Sequence, residues 1–528
     1  MKKIYTIGLS IFLSCLLIAC QPSGNSLESY VDKEVNEQEN NSISLHYGIS
    51  TSEKLATELG EWVLEKGGSA ADVLVASSFM LNVTEGFGSG IGGSGGALVF
   101  DPDTEEYTFY DYMAQAGSQK NQIGIPGQLN GLWQIHQDHG KLPWEDLIEP
   151  AIIVAEEGFT ISPKLSYKIA TLGGQVEQFE NFIDEEGQPL ETGDRLIQND
   201  LAESFREIQA KGITSFYEGE MGRRVAEAAG LDFEEFKEYQ TRKIDPIILN
   251  FGEHRLIGAP APFGSQMTMQ MYRDMIDQGI RPLEESPNQF FDVYQKTYVD
   301  ARNDGSQTIA DPSFYDFDQE DYLAQSKVVS REEGPPIAQF EEEPGSTTHL
   351  SIVDQDGMVI SATNTLSNFW GSRVQVDGFF LNNSNRNFSN TGINSYEPYK
   401  RARTTASPII VERDSEKYAI GSPGGGYIPQ VLAYILLQHE QFDQDFDDLL
   451  TQRRFLVNRD GSIILDQSEL NQEDEAITEL ISSTGRNIIR ERKATFYGFG
   501  SISIAGYDGE DYFAYGDVYL SLIHISEP

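Results

Sequence analysis

Cysteine is nearly missing from this chain. The 528 residues include two, Cys15 and Cys20, both close to the N-terminus. Past residue 20 there can be no internal disulfide, thiolate metal site or cysteine nucleophile. Positive charge is scarce as well: 38 Lys and Arg against 83 Asp and Glu leave a formal charge of −45. Such a surface repels DNA and anionic lipid, so no nucleic-acid partner is expected. A solvated acidic shell is the plainer reading of that charge, and recognition of cations is the other. Histidines number seven. His136 and His139 have a spacing that suits a metal on a helix, but no third ligand accompanies them. A surface helix end is the favoured reading, and neither a metal nor an organic cofactor is expected. No fixed-period repeat is present.

What is present is ordinary globular composition, 39% apolar and 23% charged, in a chain long enough for one large core or two. Lys2 and Lys3 precede an apolar run from Ile4 to Ala19, short for a membrane span and ordered like an export signal. Leu17-Ile18-Ala19-Cys20 resembles a bacterial lipoprotein box, which implies cleavage before Cys20 and lipid attachment to it. A plain signal or a single anchor helix is the alternative, and each places the protein outside the cytoplasm. Residues 21–43 are polar and aperiodic and read as a tether.

Patterning begins near His46. Leu55, Leu59, Trp62 and Val63 predict a helix within Thr51–Lys66, and Ala70–Asn82 predicts a second. Seven glycines between Gly86 and Gly96 let backbone approach something closely, although no Gly-Lys-Ser/Thr follows to make a phosphate loop. Ala97–Phe100 and Glu106–Tyr112 read as strands. From about 127 to 300 helices alternate with turns. Residues 313–346 are acidic and read as a long exposed loop. Thr347–Val353 and Met358–Thr365 are rich in β-branched residues and flank Asp354-Gln355-Asp356-Gly357, a hairpin signal. Pairing Val353 with Met358 puts Thr347 opposite Asn364, beside Thr365. A one-residue bulge puts it opposite Thr365 itself.

Taken singly, a Thr-Thr pair is a strand and Ser-Pro-Gly-Gly is a turn. In order, Gly345-Ser346-Thr347-Thr348-His349, Thr365 and Gly421-Ser422-Pro423-Gly424-Gly425 resemble the γ-glutamyltransferases. Gly67–Asp72, Gly90–Gly96, Gly124–Gly127 and Leu381-Asn382-Asn383 extend the likeness over nearly the whole mature chain. Asn364–Phe369, Asn394–Pro398 and Lys400-Arg401 are similar to the branch that depolymerises poly-γ-glutamate capsule.

The resemblance implies an α+β fold, the four-layer αββα sandwich of N-terminal nucleophile hydrolases. It implies a signal at 1–20, the tether, a large subunit at 44–346 and a small catalytic subunit at 347–528, made from one precursor by cleavage between Ser346 and Thr347. Thr347 would then attack a γ-amide, its freed α-amine serving as base. Thr365 would orient the amine or hydroxyl, and Gly424 and Gly425 would hold the oxyanion. Asn387, Thr404, Thr405, Ser367 and Arg386 are expected at the substrate. His349 reads as a strand residue packed under the site.

Three departures from the family pattern stand out. Met113 occupies the place of a carboxylate-binding arginine, a role for which Arg386 is the proposed substitute. Asn387 replaces an aspartate that pairs with an α-ammonium, so an acylated nitrogen within a polymer becomes acceptable; Ser384 also replaces a glutamine. Residues 518–528 depart from the usual basic ending and read as a truncated or replaced tail. Arg373, Arg386, Lys400, Arg401 and Arg403 against Asp377 and Glu397 make a locally basic run, read either as a solvated patch or as a polyanion-facing groove.

The expected activity is γ-glutamyl hydrolysis or transpeptidation on poly-γ-glutamate or another N-blocked γ-glutamyl compound, outside the cytoplasm, as a membrane-anchored lipoprotein at the cell surface or in secreted form. A glutathione-type transferase, a glutaryl-amide acylase and a non-catalytic surface-binding lipoprotein are the alternatives.

Overall fold

The computed structural model describes residues 46–325, 346–466, 475–491, 500–517 and 523–525. The signal with Cys20, the tether and most of the acidic loop before Ser346 lie outside the described residues.

Two large sheets form the centre. The first holds β1 (Gly48–Ser50), β2 (Ser94–Asp101), β3 (Glu106–Tyr112), β4 (Arg242–Ile244), β7 (Ser346–Val353), β8 (Val359–Ser367) and β13 (Ile523–Ile525). Their order is β13-β1-β7-β8-β2-β3-β4. The second holds β5 (Ile247–Phe251), β6 (His254–Gly258), β9 (Ile409–Arg413), β10 (Glu416–Gly421), β11 (Ser503–Tyr507) and β12 (Tyr512–Gly516), ordered β12-β11-β10-β9-β6-β5.

Side-chain alternation explains the layering. In β7, Leu350 and Ile352 join the core under helices α1 (Lys54–Glu65) and α2 (Ala70–Thr84), while Val353 joins a cluster between the sheets. In β10, Tyr418 and Ile420 pack outward with α3 (Ser265–Asp277), α4 (Pro287–Thr308) and α5 (Ile428–Phe442), while Ala419 points inward. Ala419, Ala505 and Ala514 keep that inner layer thin. The sheets are also joined by hydroxyls: Ser361 Oγ donates to Ile420 O (3.1 Å) and Ser351 Oγ to Ser503 O (2.9 Å). The result is the expected αββα sandwich.

The central hairpin closes one residue later than expected. Val353 pairs with Val359, and Asp354 N–H bonds Met358 O (3.1 Å), so Met358 belongs to the turn. Pairing runs to Thr348–Asn364, then shifts so that Ser346 lies opposite Ser367. The extra residue makes a bulge at Thr347 and Thr365. Ser346 is thereby a buried strand residue and not the end of an exposed loop. Residues 242–258 hold β4 and the β5–β6 hairpin where helices and turns were expected. Their runs are too short to show a period, and pairing with β3 and β9 decides them. Within the tail, Ile523–Ile525 form β13, antiparallel to β1.

Candidate active site

Thr347 and Thr365 fall on the inner-facing positions of β7 and β8, both nearly buried, with their Oγ1 atoms 3.4 Å apart. Thr365 Oγ1 also donates to the carbonyl of Ser346, the group preceding Thr347. It accepts the N–H of Ser367 at 2.9 Å. A hydroxyl has one proton, so with Thr365 donating to Ser346 the Thr347 hydroxyl is the donor between the two. Ser367 holds φ at 81°, which turns its N–H back onto Thr365. Its Oγ donates to Asn387 Oδ1 at 3.3 Å.

Asn387 and Arg386 lie exposed on a short 3₁₀ turn, Ser384–Asn387. Thr404 and Thr405 are half-buried. Thr405 Oγ1 donates to Gly425 O at 2.7 Å, which ties the expected carboxylate-binding segment to the expected oxyanion loop. Thr404 N–H bonds Pro262 O at 2.9 Å. Gly424 and Gly425 have φ of 137° and 57° after β10, values that favour glycine. His349, two residues along β7 from Thr347, packs against Gly421 at the start of that loop. Its Nδ1 meets Thr363 Oγ1 at 2.8 Å, and burial pushes the imidazole down to about 3. It is a neutral packing residue, as expected.

The glycine-rich run approaches protein backbone. A Cβ on Gly92 would fall 2.2 Å from Phe380 O, and one on Gly95 2.3 Å from Thr363 O. Gly88 and Asn368 stand inside stretches that the sequence singles out, but nothing there assigned them a role at Ser346. Their carbonyls accept the Ser346 hydroxyl at 3.4 and 2.7 Å and fix the residue before Thr347. Backbone acceptors carry no residue-type signal.

The locally basic run divides. Arg373 and Arg386 are exposed, whereas Lys400, Arg401 and Arg403 are buried. Lys400 pairs with Glu397 (2.7 Å), Arg401 with Asp111 (2.7 Å), and Arg403 Nη1 donates to Gly305 O (3.0 Å). Those three hold the fold together, so the run as a whole is neither a solvated patch nor a groove for a polyanion. Met113 is buried in the cluster between the sheets, with Phe263 and Ala406. His136 Nε2 contacts Leu142 O at 2.9 Å and His139 Nε2 contacts Tyr110 OH at 2.8 Å. Among the described residues, no three His, Cys, Asp or Glu are grouped to hold a metal.

The sandwich is that of the N-terminal nucleophile hydrolases. It superposes on the cephalosporin acylase from Bacillus halodurans with a TM-score of 0.78 at 20% identity, over 91% of this chain and 96% of that one. Residues 56–518 match the family model for gamma-glutamyltranspeptidase, and the chain belongs to that family of enzymes. It is 34% identical to the capsule biosynthesis protein CapD proenzyme of Bacillus anthracis, over 93% of each chain. It is 25% identical to the glutathione hydrolase proenzyme of Bacillus subtilis (strain 168), over 87% of this chain and 88% of that one.

Proposed function

We propose that this enzyme is a self-cleaving γ-glutamyl amide hydrolase or transpeptidase that works through Thr347, with poly-γ-glutamate or another N-blocked γ-glutamyl compound as substrate. The observation that carries the reading is the Thr347–Thr365 hydroxyl pair beside the Ser346 carbonyl. In the intact chain the hydrogen bond from Thr365 polarises that carbonyl toward attack by Thr347 Oγ. The attack forms an ester at Ser346 and frees the Thr347 nitrogen. Water then hydrolyses the ester and leaves Thr347 as an N-terminus. Its α-amine has a reference pKa of about 7.7–8.0 and is substantially neutral near pH 7–8, which suits it to take the hydroxyl proton. Thr347 Oγ next attacks the γ-carbonyl of the substrate, the N–H groups of Gly424 and Gly425 receive the oxyanion, and the amine departs protonated. Water or a second amine releases the glutamyl group.

Asn387 supports the choice of substrate. A neutral amide does not require a free α-ammonium, and Arg386 beside it supplies the charge for an α-carboxylate that Met113 lacks. The capsule-related relative supports the same class. We further propose export and lipid anchoring through Cys20; a Cys20→Ala variant recovered in the membrane fraction would remove that part.

Purified protein starting at residue 21 is compared with its Thr347→Ala variant by intact mass and denaturing gel. Two fragments are expected, the smaller beginning at Thr347, and a single chain from the variant. A parent that remains uncut overturns the reading.

A further inference from the structure

From the nucleophile outward, contacts run without a gap to the surface. Thr347 meets Thr365, Thr365 holds Ser367, and Ser367 bonds Asn387 (3.3 Å). The carbonyl of Asn387 accepts Asn394 Nδ2 at 2.8 Å. The next residue, Phe388, sets its ring edge-on to Tyr396, with centroids 5.2 Å apart. Lys120 Nζ lies over the Tyr396 ring, 5.9 Å from its centroid. Tyr396 OH is 2.7 Å from the carbonyls of both Gly117 and Gln119, which fastens the loop carrying Lys120 to the one carrying Phe388.

The charges along this ledge are uneven in a protein of −45. Lys120 and Arg386 are exposed. Of the carboxylates beside the ledge, Glu397 pairs with Lys400 Nζ (2.7 Å), and Glu235 accepts the Ser118 N–H with both oxygens (3.0 Å).

We infer that Lys120, on its Tyr396–Phe388 support, is a subsite for the α-carboxylate of the residue that precedes the reacting unit in a γ-linked glutamate chain. The inference rests on the γ-glutamyl reading above and adds a direction. Each γ-linked unit carries a free α-carboxylate. A chain attached through the α-nitrogen of the reacting unit leaves past Asn387, so its next carboxylate reaches the ledge. An ammonium held against an aromatic face stays hydrated on its outer side and pairs with that carboxylate without being buried.

The test uses two anilides, one with a single N-acetyl-γ-glutamyl unit and one with two γ-linked units. The readout is the ratio of their kcat/KM values. Lys120→Ala is expected to lower the two-unit to one-unit ratio about 5-fold, the upper range for an exposed ion pair, through KM. Lys120→Glu is expected to lower it further and Lys120→Arg to restore it. Raising the salt concentration is expected to reduce the two-unit preference of the parent more than that of Lys120→Ala. A ratio unchanged in Lys120→Ala, with the parent cleaving both anilides, overturns the subsite and leaves the γ-glutamyl reading standing. A parent that cleaves neither overturns both. Lys120 is exposed, and matching melting curves establish that the variants are folded.

Discussion

The imidazole of His349 and the backbone of Gly421 share one space: a Cβ added at Gly421 would stand 2.1 Å from His349 Cε1. The contact joins the strand bearing Thr347 to the loop bearing Gly424 and Gly425. Gly421→Ala is expected to cost about 1–3 kcal/mol of stability through overpacking and to displace that loop. Thermal denaturation reads the first effect. Loss of turnover in protein that has already cleaved reads the second.

Thr365 serves Ser346, Ser367 and Thr347 through one oxygen. Thr365→Ala removes the donor aimed at the Ser346 carbonyl, and cleavage is expected to slow about 100-fold, as for loss of an oxyanion-hole donor. Thr365→Ser keeps the hydroxyl and is expected to retain most of the rate. Time-resolved gels check both, and equal rates in Thr365→Ala and parent would remove Thr365 from the mechanism.

The imidazole of His349 has its folded pKa depressed to about 3 by burial, below its unfolded value of about 6.5. Between those values the unfolded chain binds a proton that the folded chain does not. This histidine's contribution is therefore intact above pH 6.5 and is lost as pH falls, by about 1.4 kcal/mol per pH unit down to about 3. Denaturant unfolding between pH 6 and 4 is expected to show a flatter slope in His349→Gln than in the parent by that amount.

Arg401 and Asp111 form a buried ion pair at 2.7 Å, and the backbone N–H of Arg401 donates to Asp311 Oδ2 at 2.8 Å. Asp111→Asn leaves the guanidinium without its counter-charge and is expected to cost about 3–5 kcal/mol. A lower melting temperature checks it. An unchanged one would mean that the nearby Asp311 suffices.

Much of the site was legible because its chemistry depends on residue type. Singly, the hydroxyls at 347 and 365, the paired glycines at 424 and 425 and the neutral Asn387 are commonplace; their order along the chain, and the family it resembles, made them candidates. The two sheets were legible where β-branched runs were long, as in β7 and β8, and illegible at β4 to β6. The basic run misled because charge was counted along the chain. Burial assigned Lys400, Arg401 and Arg403 to fold contacts.

The sequence by itself determined the central hairpin and the identity of the hydroxyls, because alternation and turn residues act over a few positions; the layered fold was legible only through the family that the motifs resemble. The tertiary structure decided the register that sets Thr347 beside Thr365, the grip of Gly88 and Asn368 on Ser346, and the seating of His349 on Gly421. A one-residue register shift and a carbonyl's partner depend on which strands lie side by side. Packing between segments that are separate in sequence, up to 258 residues apart for Gly88 and Ser346, selects those neighbours, and local patterns do not encode it.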